Sequence, residues 1–121
     1  MLDLYADGIP AEQALDWIDT ALDYNWVHPL NNAAIISTAL LWGDDDYRRT
    51  LGLSVAAGRA TDSNAATVGS VFGALHGASA ILVAQGNGIV RSAARGFDRI
   101  AIDDLTTRTL AVRQALSNSH T

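Results

Sequence analysis

Arg59, Thr61, Asp62, Ser63 and Asn64 stand almost side by side in a chain of 121 residues. Each can offer an oxygen or a charged nitrogen to a ligand. Directly after them runs Ala65 to Gly77, a stretch of small and apolar residues that reads as a helix. Two chemistries fit polar residues at such a helix start. Asp62 or Ser63 can cap the helix by accepting a backbone N–H. Alternatively, carboxylate and hydroxyl oxygens can hold a hard cation of the magnesium type. A single carboxylate is too few for a good cation site, so that reading needs acids from elsewhere in the chain.

The helix that carries these residues has its own pattern. Gly69, Gly73 and Gly77 are four apart and so share one helical face. A glycine stripe leaves a groove into which another backbone can fit. Asp44, Asp45 and Asp46 form a second acidic cluster. They read as a cap and first-turn acids for a helix over Tyr47–Ala57, because carboxylates there complement the helix dipole. In that helix Leu51, Leu53 and Val55 are expected to face inward and Arg48 and Arg49 outward, with Gly58 just past its end. Glu12, Asp16, Asp19 and Asp23 read as the solvated face of an earlier helix.

That earlier helix begins after Pro10, which suits a first turn, and buries Ala11, Ala14, Leu15, Ile18, Ala21 and Leu22. Residues 1–9 read as a lead-in. Asn31 or Asn32 is expected to cap a third segment, Ala33–Trp42, which is apolar nearly all round and must be central. Gly43 ends it. Gln85-Gly86-Asn87-Gly88 reads as a loop, with an Asn-Gly hairpin joining Ile81-Leu82-Val83 to Ile89-Val90 as the alternative. Ile89–Arg95 reads as a short helix. Asp103 or Asp104 is expected to cap a last helix with Leu105, Thr109, Val112 and Leu116 on one face, and Ser117–Thr121 reads as a frayed tail. The expected fold is therefore all-α: one domain over 1–121, an orthogonal bundle of five or six helices with 32–42 and 63–77 at its centre.

Composition narrows the partners. The formal net charge is −5, all eight basic residues are Arg, and they are scattered. An acidic chain without a basic cluster argues against nucleic-acid binding. The absence of cysteine removes disulfides and thiolate metal sites. The uncharged run Ala65–Ala84 is too interrupted by glycines and His76 for a membrane span. The N-terminus has no basic region of the signal-peptide kind, and the expected location is cytoplasmic.

Four segments together resemble a known family. They are His28-Pro29-Leu30-Asn31-Asn32-Ala33-Ala34, then Leu40-Leu41-Trp42-Gly43-Asp44, then Thr50 to Gly58, and above all Thr61 to Ala78. With Gly96-Phe97-Asp98 and Asp104–Leu110, they look like the C-terminal part of the ADP-ribosylglycohydrolase family, over about residues 10–116. The resemblance implies an all-α fold, a pair of magnesium ions, and hydrolysis of the bond between ADP-ribose and an acceptor. Half of the metal cluster in that family comes from an N-terminal Thr-Asp-Asp motif. The other half comes from a Gly-x-Asp-Thr-Asp-Ser/Thr/Cys-Asn motif.

By that resemblance Asp62 is the second acid of the latter motif and Ser63 its metal-binding hydroxyl. Thr61, Asn64 and Arg59 are the ligand-binding candidates, with Arg59 either reaching an ADP-ribose phosphate or lying exposed. His28 and His76 fall where the family often has histidine; each reads more readily as a satisfied structural residue. The departures are specific. Ala60 stands where the first acid belongs, no Thr-Asp-Asp motif occurs, and Leu82 replaces a common proline. The expectation is a truncated or degenerate relative with weak or no hydrolysis. The alternative is a non-catalytic module that self-associates through the glycine stripe or binds ADP-ribose or a nucleotide. A homo-oligomer is expected, since removing half of a helical domain exposes apolar surface.

Overall fold

The computed structural model describes residues 1–77, 79–81, 89–90, 92 and 94–119. The chain falls into two compact units, Met1–Leu82 and Val83–Thr121. The described residues are all-α apart from one two-residue ladder.

The first unit holds five helices: α1 (Leu2–Ala6), α2 (Ala11–Ala21), α3 (Pro29–Trp42), α4 (Tyr47–Ala56) and α5 (Thr61–His76). The expected lead-in is thus partly a helix. Gly8, at φ 71°, ends α1 in the left-handed region that glycine enters without strain. The Gly8 and Ile9 N–H groups then return to the carbonyls of Tyr5 and Leu4, 3.0 Å each, which closes the helix end. The freed Ile9 carbonyl accepts from Trp42 Nε1 at 2.8 Å. Trp42 also meets Tyr5 edge-on, 5.0 Å between ring centroids, so α1 is tied to the end of α3.

Helix α3 packs against α2, α4 and α5, and α4 packs against α5. Its buried face is Asn31, Ile35, Thr38, Ala39 and Trp42. Ala11, Ala14 and Ile18 cover it from α2, and Val68 and Phe72 are buried on α5. Segments 32–42 and 63–77 are therefore rich in core residues, as their composition requires. Three hydroxyls are buried with them and each bonds a nearby carbonyl of its own helix: Thr38 to Ala34, Thr50 to Asp46, and Ser54 to Leu51, at 2.7–2.9 Å. Internal satisfaction of this kind removes the penalty of burying a hydroxyl.

Several local expectations are corrected. Helix α3 starts at Pro29, and its cap is His28, whose Nδ1 accepts from the Leu30 N–H at 3.3 Å. Asn31 and Asn32 lie inside the helix, because proline's fixed φ favours the first helical position. Gly43 caps α3 with right-handed dihedrals (φ −73°). It is glycine for space: a Cβ there would collide with the Thr50 side chain and sit 2.8 Å from the Ala39 carbonyl. On α4 the buried pair is Thr50 and Ser54, while Val55 faces solvent.

In the second unit, Ile89–Val90 is a strand rather than the start of a helix. It pairs antiparallel with Ile100–Ala101, Ile89 opposite Ala101 and Val90 opposite Ile100. Helix α6 (Ile102–Asn118) follows directly. Asp103 and Asp104 lie in its first turn and do not cap it, and the helix runs on through Ser117 and Asn118. The 85–88 loop lies outside the described residues, as do Leu82, Val83 and His120; of the hairpin alternative, Ile89–Val90 is a strand, but its partner is Ile100–Ala101. Among the described residues, no helix is long and apolar enough to cross a membrane.

Candidate functional site

The loop between α4 and α5 is built from its ends. Gly58, at φ 69°, terminates α4 as expected, its N–H donating to the Val55 carbonyl at 3.0 Å. Two residues later Ala60 also adopts the left-handed conformation, at φ 43° and ψ 47°, and caps α5 with no side-chain hydrogen bond. That region is strained for an alanine. Helix α5 therefore begins at Thr61, two residues earlier than expected. Asp62 and Ser63 lie within its first turn, and neither is the cap.

What holds Ala60 in place is Asn64. Its buried Nδ2 donates to the Arg59 carbonyl at 2.8 Å and to Asn32 Oδ1 at 3.3 Å. Asn32 in turn donates to the Val27 carbonyl at 3.4 Å. Arg59 is not a free loop arginine. Its guanidinium pairs with Asp19 of α2 at 2.9 Å and donates to the Tyr24 carbonyl at 3.4 Å, and its side chain is mostly covered. Asn31 Nδ2 donates to the carbonyls of Tyr24 and Asn25, 3.1 Å each, while its buried Oδ1 has no partner among the described residues. Tyr24 stacks on His28 at 4.2 Å. A polar network thus ties the α2–α3 loop, the start of α3 and the start of α5 into one wall.

The sequence candidates divide on this geometry. Arg59 and Asn64 are brought together as structural partners, and His28 is occupied as a cap. Asp62 and Ser63 are exposed on α5. The Ser63 carbonyl accepts from Thr67 Oγ1 at 2.9 Å, and the Asp62 carboxylate has no hydrogen bond or ion pair among the described residues. Asp62 is also the sole acid in that first turn. Among the described residues no group of three or more His, Asp or Glu could hold a metal ion. A magnesium ion requires near-octahedral oxygen coordination, usually anchored by one or two carboxylates, and a pair of ions requires more. The residues described here do not by themselves fit a two-magnesium centre.

Two of the three glycines of the stripe, Gly69 and Gly73, are covered from within the chain. A Cβ on Gly73 would stand 2.9 Å from Ile81 Cδ1, and one on Gly69 3.9 Å from Leu51 Cδ1. Side chains, not another backbone, lie over these two. Gly77, at φ 78°, is the residue that ends α5.

The second acidic cluster meets its expectation only at Asp46: Asp44 and Asp45 precede the cap, and the first turn of α4 holds no acid. Asp46 caps α4 by accepting from the Arg49 N–H at 2.7 Å. Asp44 pairs with the Arg49 guanidinium at 3.0 Å. Asp45 Oδ1 lies 3.3 Å from His76 Nε2, and the His76 ring packs on Phe72 at 4.2 Å. Asn31 and Asn32 hold backbone carbonyls, as asparagines in the wall of such a site are expected to; what sequence reasoning missed is that Asn64 joins them. The one visible signal of that link was a pair of asparagines one turn into a helix that Pro29 already starts.

A family model described as ADP-ribosylglycohydrolase matches residues 2–116, nearly the whole chain. No curated protein and no solved structure matches it.

Proposed function

The chain belongs to the ADP-ribosylglycohydrolase family, and on that premise we propose that it is a degenerate relative of the magnesium-dependent enzymes that cleave ADP-ribosyl glycosidic bonds, with weak or no hydrolysis of its own. Family membership supports the class of ligand. The observation that carries the reading of weak activity is Ala60. It occupies the position of the family motif's first acid, in a backbone conformation that Asp adopts several-fold more readily than most residues. An Asp would fit that backbone without added strain, and the alanine side chain offers no oxygen. Asp62 and Ser63 remain as the candidate magnesium ligands at that end of α5. Thr61 and Asn64 flank them, and Arg59 anchors the loop from below through Asp19.

The test is Ala60→Asp, titrated with magnesium by calorimetry and assayed on an ADP-ribosylated peptide. The variant is expected to bind magnesium at least about tenfold more tightly than the parent chain, the gain from one added charged ligand. Because Asp also relieves backbone strain at this position, a rise in thermal stability counts only where it depends on magnesium. Equal magnesium binding by both chains would remove the reading.

A further inference from the structure

The start of α3 lacks hydrogen-bond partners at one residue. The first N–H groups of a helix have no acceptor inside it and must find one outside. Pro29 has no N–H to satisfy. The Leu30 N–H donates to His28 Nδ1 at 3.3 Å, and the Asn32 N–H to the His28 carbonyl at 3.2 Å. The Asn31 N–H lies between them and has no acceptor among the described residues. Asn31 is fully buried, and its Oδ1 is unpartnered as well. One buried residue thus holds an unpaired donor and an unpaired acceptor. Buried polar groups are nearly always paired, with ordered water where protein groups do not reach.

The neighbouring groups select what pairs them. The Asn31 amide cannot be reversed, because its Nδ2 donates to the carbonyls of Tyr24 and Asn25 at 3.1 Å each, and an oxygen in that place would face two oxygens. Those two carbonyls are saturated. Tyr24 also accepts from Arg59, and Asn25 also accepts from the His28 N–H. The ordinary helical acceptor for the Asn31 N–H is the carbonyl four residues back, that of Val27. It accepts from Asn32 Nδ2 at 3.4 Å and keeps a second lone pair. The occupant must therefore accept from one N–H and donate to two oxygens. The N–H excludes a metal cation, and the oxygens exclude an anion. A single buried water, which makes about three hydrogen bonds, meets the requirement. We propose that one ordered water is built into the start of α3, accepting from the Asn31 N–H and donating to Asn31 Oδ1 and the Val27 carbonyl. It stands in for one i→i−4 bond of the helix. Val27 also holds Asn32, and Asn32 accepts from Asn64, so the water belongs to the wall formed by the α2–α3 loop, α3 and the start of α5. All of these residues lie in the first unit, and the site requires neither magnesium nor ADP-ribose.

Two measurements on the full chain without metal test this. A crystal structure is expected to show one water within about 3.2 Å of both the Asn31 nitrogen and Oδ1. In solution, the residue 31 backbone amide is expected to show cross-peaks to water of opposite sign in NOE and ROE spectra, the signature of a water held in place; hydrogen exchange gives the same sign in both. Tyr24→Phe keeps the ring that stacks on His28 and removes its hydroxyl as a source of exchanging protons, and is expected to leave the cross-peaks unchanged. Asn31→Leu is expected to expel the water and lose them. Where that variant loses helicity by circular dichroism, the density and cross-peaks of the parent chain decide alone. Empty density, a direct bond from the Asn31 N–H to the Val27 carbonyl, or a protein donor on Oδ1 would overturn the inference. So would cross-peaks of the same sign, cross-peaks that Tyr24→Phe removes, or cross-peaks that survive in a folded Asn31→Leu.

Discussion

The starts of α4 and α5 are built from the same materials and used differently. Left-handed residues lie before both, Asp44 and Asp45 ahead of the extended cap Asp46 of α4 and Ala60 as the cap of α5 itself, and each start carries exposed acid. At α4 every acid has a structural partner: Asp46 bonds the Arg49 N–H, Asp44 the Arg49 guanidinium, and Asp45 His76. At α5 the cap is an alanine without a hydrogen-bonding side chain, and Asp62 has no partner among the described residues. Capping by Asp46 and the pairs to Arg49 and His76 account for the first cluster. The Asp62 carboxylate of the second meets only the helix dipole and has no side-chain partner among the described residues. An acid whose carboxylate is left unpaired is the better candidate for ligand chemistry, and the Asp44–Asp46 run, for all its charge, is the poorer one.

The contrast breaks most sharply at Asn64. If the α5 start is held by this side chain rather than by a cap, Asn64→Ala should destabilise the first unit by about 2–3 kcal/mol. It removes two hydrogen bonds and leaves the Arg59 carbonyl and Asn32 Oδ1 without their donor in a half-buried setting. Urea denaturation monitored by circular dichroism checks this. A loss below about 0.5 kcal/mol, the usual effect of a surface change, would mean that the loop is held by other means and that the two helix starts are more alike than described.

The second test is Ala60→Gly. An alanine in the left-handed region carries about 1–2 kcal/mol of strain that glycine does not, offset by glycine's larger chain entropy when unfolded, about 0.4–1 kcal/mol. The expected outcome is a gain of up to about 1 kcal/mol, read as a higher thermal midpoint. The opposite sign would show that Ala60 is unstrained and that the α5 start is an ordinary one.

Much of the scaffold was legible because it rests on residues whose conformational preferences are strong. Gly58 marks the end of α4 by its positive φ, and the spacing of Ala11, Ala14 and Ile18 marks the buried face of α2. The all-α class follows from such segments. The misreadings share a cause: residue type was trusted where geometry decides. Asn31, Asn32, Asp62 and Ser63 are good capping types, but Pro29 and a left-handed Ala60 start both helices earlier and place all four inside them. Helix α1 has too few residues to show a period. Ile89–Val90 is a short apolar run of the kind periodicity cannot assign, and it becomes a strand because Ile100–Ala101 is there to pair with it. At the candidate site, the motif from Gly58 to Asn64 was legible. The bonds that fix it, from Asp19, Tyr24 and Asn32, come from far along the chain and leave no local trace.

The smallest effects discriminate best between the two acidic clusters. Asp46→Ala should cost about 1 kcal/mol, the usual loss for a capping side chain. Asp62→Ala should change stability by less than about 0.5 kcal/mol without magnesium, since an exposed first-turn acid contributes only through the dipole. Measured in the Ala60→Asp background, however, Asp62→Ala should abolish the magnesium-dependent part of the thermal shift, whereas Asp46→Ala should leave that part unchanged and lower the baseline alone. Stability and ligand binding then separate cleanly between the two clusters, one acid acting on the fold and the other on the ion. If Asp46→Ala removes the magnesium response instead, the two helix starts have exchanged roles, and the assignment of Asp62 as a ligand fails with it.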